Sequence, residues 1–323
     1  GLGAARRVRR LSHFREGRPR TGCAPGCPLR GGRKGALGVF EFLCLVLGKA
    51  TPLFLAGLGG LLSESSGVVN FALEGMMLFG AFAAVWATGA TGSPWWGLLG
   101  AIAAGMLTGV VHAVASLKWR VNQIISSICL NLLAAGLTGM LLNEVYGVYG
   151  TSPSVEHLPE VGGGVSALTP LAILAAAGVT ALFRRSAWGL HIRACGENPL
   201  AAASAGIGVF RTRLVAIAVG GGLAGAAGAF LSIGVLSQFV EKMTQGRGYL
   251  AVAALILGRW KPSGVLAAAF FFGLLDALSE WMAVRWMDLP QQLFLAFPYL
   301  ACFAVLAFRF GAMRPPSALG RVE

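Results

Sequence analysis

The chain has 323 residues, 56% of them hydrophobic and only 12% charged, with a mean hydropathy of +0.71. A soluble globular domain carries about 25% charged residues, so a water-soluble fold is excluded. The net charge of +13 is concentrated in residues 1–36, which hold ten of the 26 Lys and Arg and one of the 13 acids, so that 16 basic and 12 acidic residues remain for the body.

In chain order, the first segment is the stretch ARRVRRLSHFREGRPR, which lacks aromatic interleaving. It reads as a disordered cytoplasmic tail over 1–36 and not as a nucleic-acid binder, so no nucleic-acid partner is expected. Its basic region is too long for a secretory signal, and the apolar run that follows is interrupted by Glu41 and Lys49. Cys23, Cys27 and His13 lack a second pair of ligands, so no metal site is expected. Cys44, Cys129 and Cys302 fall in apolar runs, as small packing residues do.

One polytopic domain is expected over 37–310, followed by a cytoplasmic tail at 311–323. Five stretches free of Asp, Glu, Lys and Arg reach the roughly 20 residues that a spanning helix needs: Gly75 to Leu117, Val121 to Asn143, Val161 to Phe183, Leu214 to Val240 and Leu289 to Phe308. The first holds two helices, with TGSPWW at 91–96 as the turn between them. Shorter runs at Gly248 to Gly258 and Pro262 to Leu275 predict half-helices or tightly coupled spans. The fold class is all-α, a transmembrane helical bundle of about eight to ten membrane segments, some of them discontinuous.

Positively charged loops mark the cytoplasmic side. Lys118 with Arg120, the arginines between Arg184 and Arg213, Arg259 with Lys261, and the C-terminal tail belong there, while the acidic segment from Asn143 to Ser166 belongs outside. With both termini cytoplasmic, two full crossings before Gly92 would put the Lys118 loop on the wrong side. The break SESSGVVN at 63–70 is therefore expected to lie within the membrane, inside a single discontinuous crossing. A weaker echo, SQFVEKMTQGRGY at 237–249, again places an acid two residues before a Met and again leads into apolar sequence, which points to an internal repeat.

Four residues of these segments are expected near a solute pathway: Asn70, Glu74, Asn131 and Glu241. Asn70 and Glu74 share a helix face at i, i+4. Glu74 either lines the path and anchors the break or caps its helix by accepting backbone N–H bonds. Asn131 needs a hydrogen-bond partner in lipid and is read first as helix-to-helix glue. Asp276 and Glu280 form a further i, i+4 pair with an interfacial position, and His112 reads as a satisfied packing residue. No catalytic residues are expected, because neither H-E-x-x-H nor G-x-S-x-G occurs. The phosphate-loop motif G-x-x-x-x-G-K-[ST] is also missing, so no cofactor is assigned to the chain and any ATP must be bound by a partner.

The loop RACGENPLAAASAGIGVFRTR, 193–213, contains a short helix signature: Asn198 at the N-cap, Pro199 at the first position, an Ala-rich body around Ala202 and Gly206 as the stop. Here, and in GLLSESSGVVNFALEGMMLFGAFAA, NQIISSICLNLLAAGLTG and EKMTQGRGYLAVAALILGRWKPSG, the chain resembles the integral permeases of bacterial ATP-binding-cassette importers, in the branch for ribose, branched-chain amino acids and nucleosides. The resemblance runs from about Thr51 to Phe308 and is greatest to the nucleoside or simple-sugar sub-branch, which includes riboflavin permeases. It implies a subunit of the bacterial cytoplasmic membrane without covalent chemistry. The partners it implies are cytosolic ATPase subunits, a second permease that is similar or identical, and an external solute-binding protein or lipoprotein. The loop through Gly196, Glu197, Asn198, Pro199, Ala202 and Gly206 would then be the coupling helix that touches the ATPase. The alternative is an ion-coupled secondary transporter working through Glu74 and Asp276.

Overall fold

The computed structural model describes residues 38–161, 166–285, 291–308 and 315–320. Among the described residues there are eleven α-helices: α1 (Val39–Ser65), α2 (Leu73–Thr91), α3 (Pro94–Leu117), α4 (Gln123–Tyr146), α5 (Leu168–Arg185), α6 (Ala187–Glu197), α7 (Pro199–Ser204), α8 (Val209–Leu231), α9 (Arg247–Leu257), α10 (Pro262–Arg285) and α11 (Gln291–Phe308). Seven are long and apolar enough to cross a membrane: α1 to α5, α8 with its π-helical extension Ser232–Leu236, and α10. The shorter α9 and α11 complete the all-α polytopic bundle expected from the sequence. The basic tail and its Cys23, Cys27 and His13 lie outside the described residues.

The helix ends follow local chemistry. Gly92, in the left-handed region at φ 70°, stops α2, and Pro94 opens α3 one residue after Ser93. Asn122 caps α4 by accepting from the N–H groups of Ile124 and Ile125, and Gly147 at φ 68° ends it. The turn at TGSPWW, the half-helix after Gly246 and the start of α4 thus fall within a few residues of the expected positions.

Three expectations are corrected. The SESSGVVN break does not sit inside one crossing. The 27 residues of α1 make it about 40 Å long, and α1 ends at the face that carries the 118–122 and 195–213 loops, where Ser66 and Gly67 meet Arg213 and Gly196. α1 and α2 are therefore two crossings, and α1 starts at the face opposite the basic loops. The span expected from Val161 begins only at Leu168, because 152–158 is bonded to the 233–239 backbone as a loop. For the run from Pro262 the half-helix alternative falls and the span stands. It continues to Arg285, and its two acids are matched along the way, Asp276 by Arg247 at 3.6 Å and Glu280 by Lys49 at 2.5 Å. Paired carboxylates can remain in a span that charge alone would end.

α8 is the central helix, packed on α1, α2 and α3. In lipid, helices gain little from burying apolar surface against each other, so close backbone approach through small residues takes over. A Cβ on Gly220 would strike the Gly59 carbonyl, one on Gly221 the Gly105 carbonyl, one on Gly225 the Ala101 carbonyl and one on Gly228 the Met77 carbonyl. Gly136 and Gly178, on the outward faces of α4 and α5, have nothing within 4 Å of that position. We expect Gly225→Ala to destabilise the bundle by about 1–3 kcal/mol through overpacking, while Gly136→Ala and Gly178→Ala leave it unchanged. Thermal unfolding of the detergent-purified variants measures this, and equal midpoints for Gly225→Ala and Gly178→Ala would refute the packing assignment.

Candidate functional site

Two unwound segments enter the bundle from opposite ends. The first, 66–72, leaves α1 through Gly67 at φ 96° and climbs in extended form along α4. Extended backbone inside a bundle must find partners for its N–H and C=O groups, and one face of α4 supplies them. Gln123 Oε1 accepts from the N–H of Val69 at 2.6 Å, and Ser127 Oγ accepts from Phe71 at 3.2 Å. Asn131 donates through Nδ2 to the Phe71 carbonyl at 2.9 Å and accepts through Oδ1 from Gly75 at 2.8 Å. His112 closes the other edge, with Nε2 3.1 Å from the Val69 carbonyl and Nδ1 3.1 Å from Ser126 Oγ. Asn70 turns inward, accepting from Ala72 and donating to Ser63 Oγ.

The second segment, 237–246, follows the π-helical turn Ser232–Leu236 at the end of α8 and returns toward the middle of the bundle. The 150–158 loop pairs with it: Ser152 donates to the Phe239 carbonyl, Val155 to Ser237, and Glu241 donates in turn to the Gly150 carbonyl. At its inner end the segment meets the first. Glu74, in the first turn of α2, accepts from the N–H of Gly246 at 2.8 Å through Oε1 and from Gly248 at 2.7 Å through Oε2. It caps α9 and not its own helix. A Cβ at Gly248 would strike the backbone of Glu74, so the two helix starts touch.

Behind the first break lies a cluster of loop residues. Arg213, buried at 3% exposure, donates to the Ser66 carbonyl at 3.0 Å and the Cys195 carbonyl at 3.1 Å. A Cβ at Gly196 would strike the Ser65 carbonyl. The C-terminal residues join here: Ala318 donates to Gly196 O, Gly320 to Gly67 O, and Ser317 Oγ to Glu197 Oε2 at 2.8 Å. Burial pushes the Cys195 thiol up against the opposing pull of the Arg213 guanidinium, so the sulfur stays protonated at neutral pH. α7 follows with the expected caps, as Asn198 accepts from Ala201 at 3.0 Å, Pro199 opens the helix, Ala202 is buried and Gly206 takes φ 82°. Glu64, at the end of α1, accepts from Trp260 Nε1 at 2.6 Å and ties in the α9–α10 loop. A cavity of about 360 Å³ opens at this end between Val69, Arg120, Gln123 and Gly320.

The structure thus brings Asn70, Glu74 and Asn131 together on the breaks. Glu241 stands apart, exposed, with its carboxylate beside Gly139. Sequence reasoning missed Gln123, Ser127, Arg213 and Glu64. A signal existed for the first two: Gln123, Ser127 and Asn131 recur every four residues on one helical face.

A family model described as branched-chain amino acid transport system / permease component matches residues 42–306. A putative glucose ABC transporter permease protein of Haloferax volcanii is 40% identical over 80% of this chain and 88% of its own. A guanosine ABC transporter permease protein of Bacillus subtilis is 34% identical, and a nucleoside ABC transporter permease protein of Lactococcus lactis 32%, each over 84% of this chain and 92% of its own. No solved structure gives a significant match.

Removing the Glu74 carboxylate should separate the two helix starts. Glu74→Gln keeps one acceptor but sets its NH₂ against a backbone N–H, whereas Glu74→Leu frees both donors at about 1–3 kcal/mol each. We expect membrane abundance and unfolding temperature to fall in the order Glu, Gln, Leu. Wild-type stability in Glu74→Leu would sink the anchoring role.

Proposed function

The chain belongs to the family of branched-chain amino acid transport system permease components, and on that footing we propose that it carries nucleosides inward as the membrane subunit of an ATP-binding-cassette importer. It is a transport subunit and not an enzyme. Its setting is the bacterial cytoplasmic membrane, with the basic loops and the C-terminal segment on the cytoplasmic side. ATP is bound and hydrolysed by cytosolic ATPase subunits. A second permease, similar or identical, completes the channel, and an external solute-binding protein delivers the solute.

One observation carries the coupling. The loop that offers α7 to the cytosol is fixed through Cys195 and Gly196 to Ser65, Ser66 and Gly67, the start of the first break. Movement of the loop by an ATPase would reach the break through the packing of Gly196 on Ser65 and through Arg213 of α8, which bonds both Cys195 and Ser66. Gly196, Glu197, Asn198, Pro199, Ala202 and Gly206 are the coupling residues in this reading, with Leu200, 70% exposed, as the apolar contact. Asn70, Glu74 and Asn131 shape the pathway by holding its walls, and Glu241 stands at its outer end. Both Glu74 oxygens are engaged by backbone N–H groups, which disfavours the ion-coupled alternative.

The guanosine and nucleoside relatives support the solute class. Glucose is the second reading, supported by the Haloferax relative. Proteoliposomes holding the permease, its ATPase and its binding protein test both through uptake of labelled guanosine and glucose. In the same system Ala202→Pro removes the bond from Ala202 to the Asn198 carbonyl and costs α7 about 3 kcal/mol. The expected result is normal membrane insertion with ATP-driven uptake reduced at least about tenfold. Unimpaired uptake would show that α7 does not couple.

A further inference from the structure

The re-entrant segment before α9 is shaped as a binding surface. Three of its residues other than glycine, Ser237, Lys242 and Gln245, hold φ between 48° and 57°, a region that side-chain-bearing residues enter at a cost and that recurs at functional sites. Glu241, Lys242 and Gln245 are exposed, and Tyr249, on the first turn of α9, is 48% exposed.

Their depth follows from α4. Tyr249 is tied to Asn131, eight residues or about 12 Å into that helix. Glu241 lies against Gly139, about 12 Å further along. Charged and amide side chains at such depths are not tolerated against hydrocarbon, and irregular backbone there requires protein or water beside it. The open side of the segment therefore faces an aqueous path, and Tyr249, which shares Asn131 with the first turn of α2, stands at the level where the two breaks meet.

The ring of Tyr249 is held in place. Its hydroxyl accepts from Asn131 Nδ2 at 3.0 Å. Across Gly246 stands Tyr299, 43% exposed, whose hydroxyl donates to the Gln245 carbonyl at 2.6 Å. A Cβ placed on Gly246 would lie 3.9 Å from the Tyr249 ring and 3.8 Å from that of Tyr299. Two tethered aromatic rings thus flank the start of α9, and the exposed Gln245 lines a pocket together with Tyr299. An immobilised ring face in an aqueous path suits a solute with a planar π system, since stacking accepts any flat base and needs no matched donors.

We propose that Tyr249 is a solute-contacting residue, that its ring stacks on the planar base of the transported nucleoside at the narrowest part of the path, and that the Gln245 amide bonds to the edge of that base. The assignment rests on the nucleoside reading above and deepens it by naming the residues that recognise the base.

The test uses proteoliposomes of the complete complex, saturated with binding protein, with guanosine and glucose as probes. Tyr249→Phe keeps the ring and loses the tether, while Tyr249→Leu loses both. The expected result is guanosine uptake per ATP hydrolysed that is close to wild type in the Phe variant and at least about fivefold lower in the Leu variant, with membrane abundance unchanged in both. A merely structural tyrosine would lower abundance and would not be rescued by Phe. Should the Leu variant fail to accumulate, Gln245→Ala decides, because only its backbone carbonyl holds Tyr299. It is expected to slow guanosine uptake at least twofold, and wild-type uptake would overturn the proposal. Equal losses in the Phe and Leu variants would also overturn it. A wild-type complex that imports glucose and not guanosine would overturn the base-stacking role together with the nucleoside reading. Wild-type guanosine uptake with no loss in Tyr249→Leu would overturn the stacking role alone.

Discussion

A backbone that leaves helical form inside a bilayer must find a partner for every N–H and C=O group it exposes, and the Glu74 carboxylate is where this protein meets that demand. α2 and α9 both begin partway across the bundle, and each brings the positive end of a helix dipole to the junction. Two positive ends facing one another would repel. A carboxylate from one, bonded at 2.7 and 2.8 Å to the first turn of the other, turns that repulsion into an attachment worth about 1.5–3 kcal/mol per charge-assisted bond. The inverted arrangement of the two breaks, one entered from each end, depends on it.

Around this junction, the packing of α8 sets what can move. Carbonyl contacts at Gly220, Gly221, Gly225 and Gly228 hold α1, α2 and α3 too closely for them to slide independently, since interiors of this density transmit displacement instead of absorbing it. The other side of the first break is walled by α4 and His112, with a cavity beside Val69 at the basic end. Rigid packing by helix backbone on one side and side-chain bonds on the other give the loop around Gly196 a defined lever. Its displacement can deform the break, because the core behind the break does not yield.

Features that depend on neighbours in the sequence were legible before the structure. The TGSPWW turn, the Asn198 cap with Pro199, the half-helix after Gly246 and the helix stop at Gly206 each involve residues within a few positions of one another. The two crossings at SESSGVVN were not legible. Charge counting had to assume a side for residues 1–36, and it cannot distinguish a break within a helix from one at its end. The role of Asn131 as glue was anticipated, but its partners Phe71 and Gly75 lie 60 and 56 positions away. Glu64 was missed because its partner Trp260 is 196 positions distant. Asp276 read as an interfacial acid because Arg247 stands on a different helix. Chemistry that spans the bundle leaves only half of itself at each place in the sequence.

The pairing of 69–71 with α4 works because of a near coincidence of two periods. Four residues of α-helix rise about 6.0 Å, and two residues of extended chain advance about 6.6 Å. Side chains at Gln123 and Ser127 therefore fall opposite Val69 and Phe71 almost in step, and the helix face stands in for the strand that a sheet would provide. The mismatch of about 0.6 Å per rung accumulates like the offset on a vernier scale. By the third rung Asn131 no longer sits opposite a single residue but reaches back to Phe71 and forward to Gly75. The helix face thus serves the unwound chain for two rungs, and Asn131 bridges from the Phe71 carbonyl into the first turn of α2, where the backbone begins to satisfy itself.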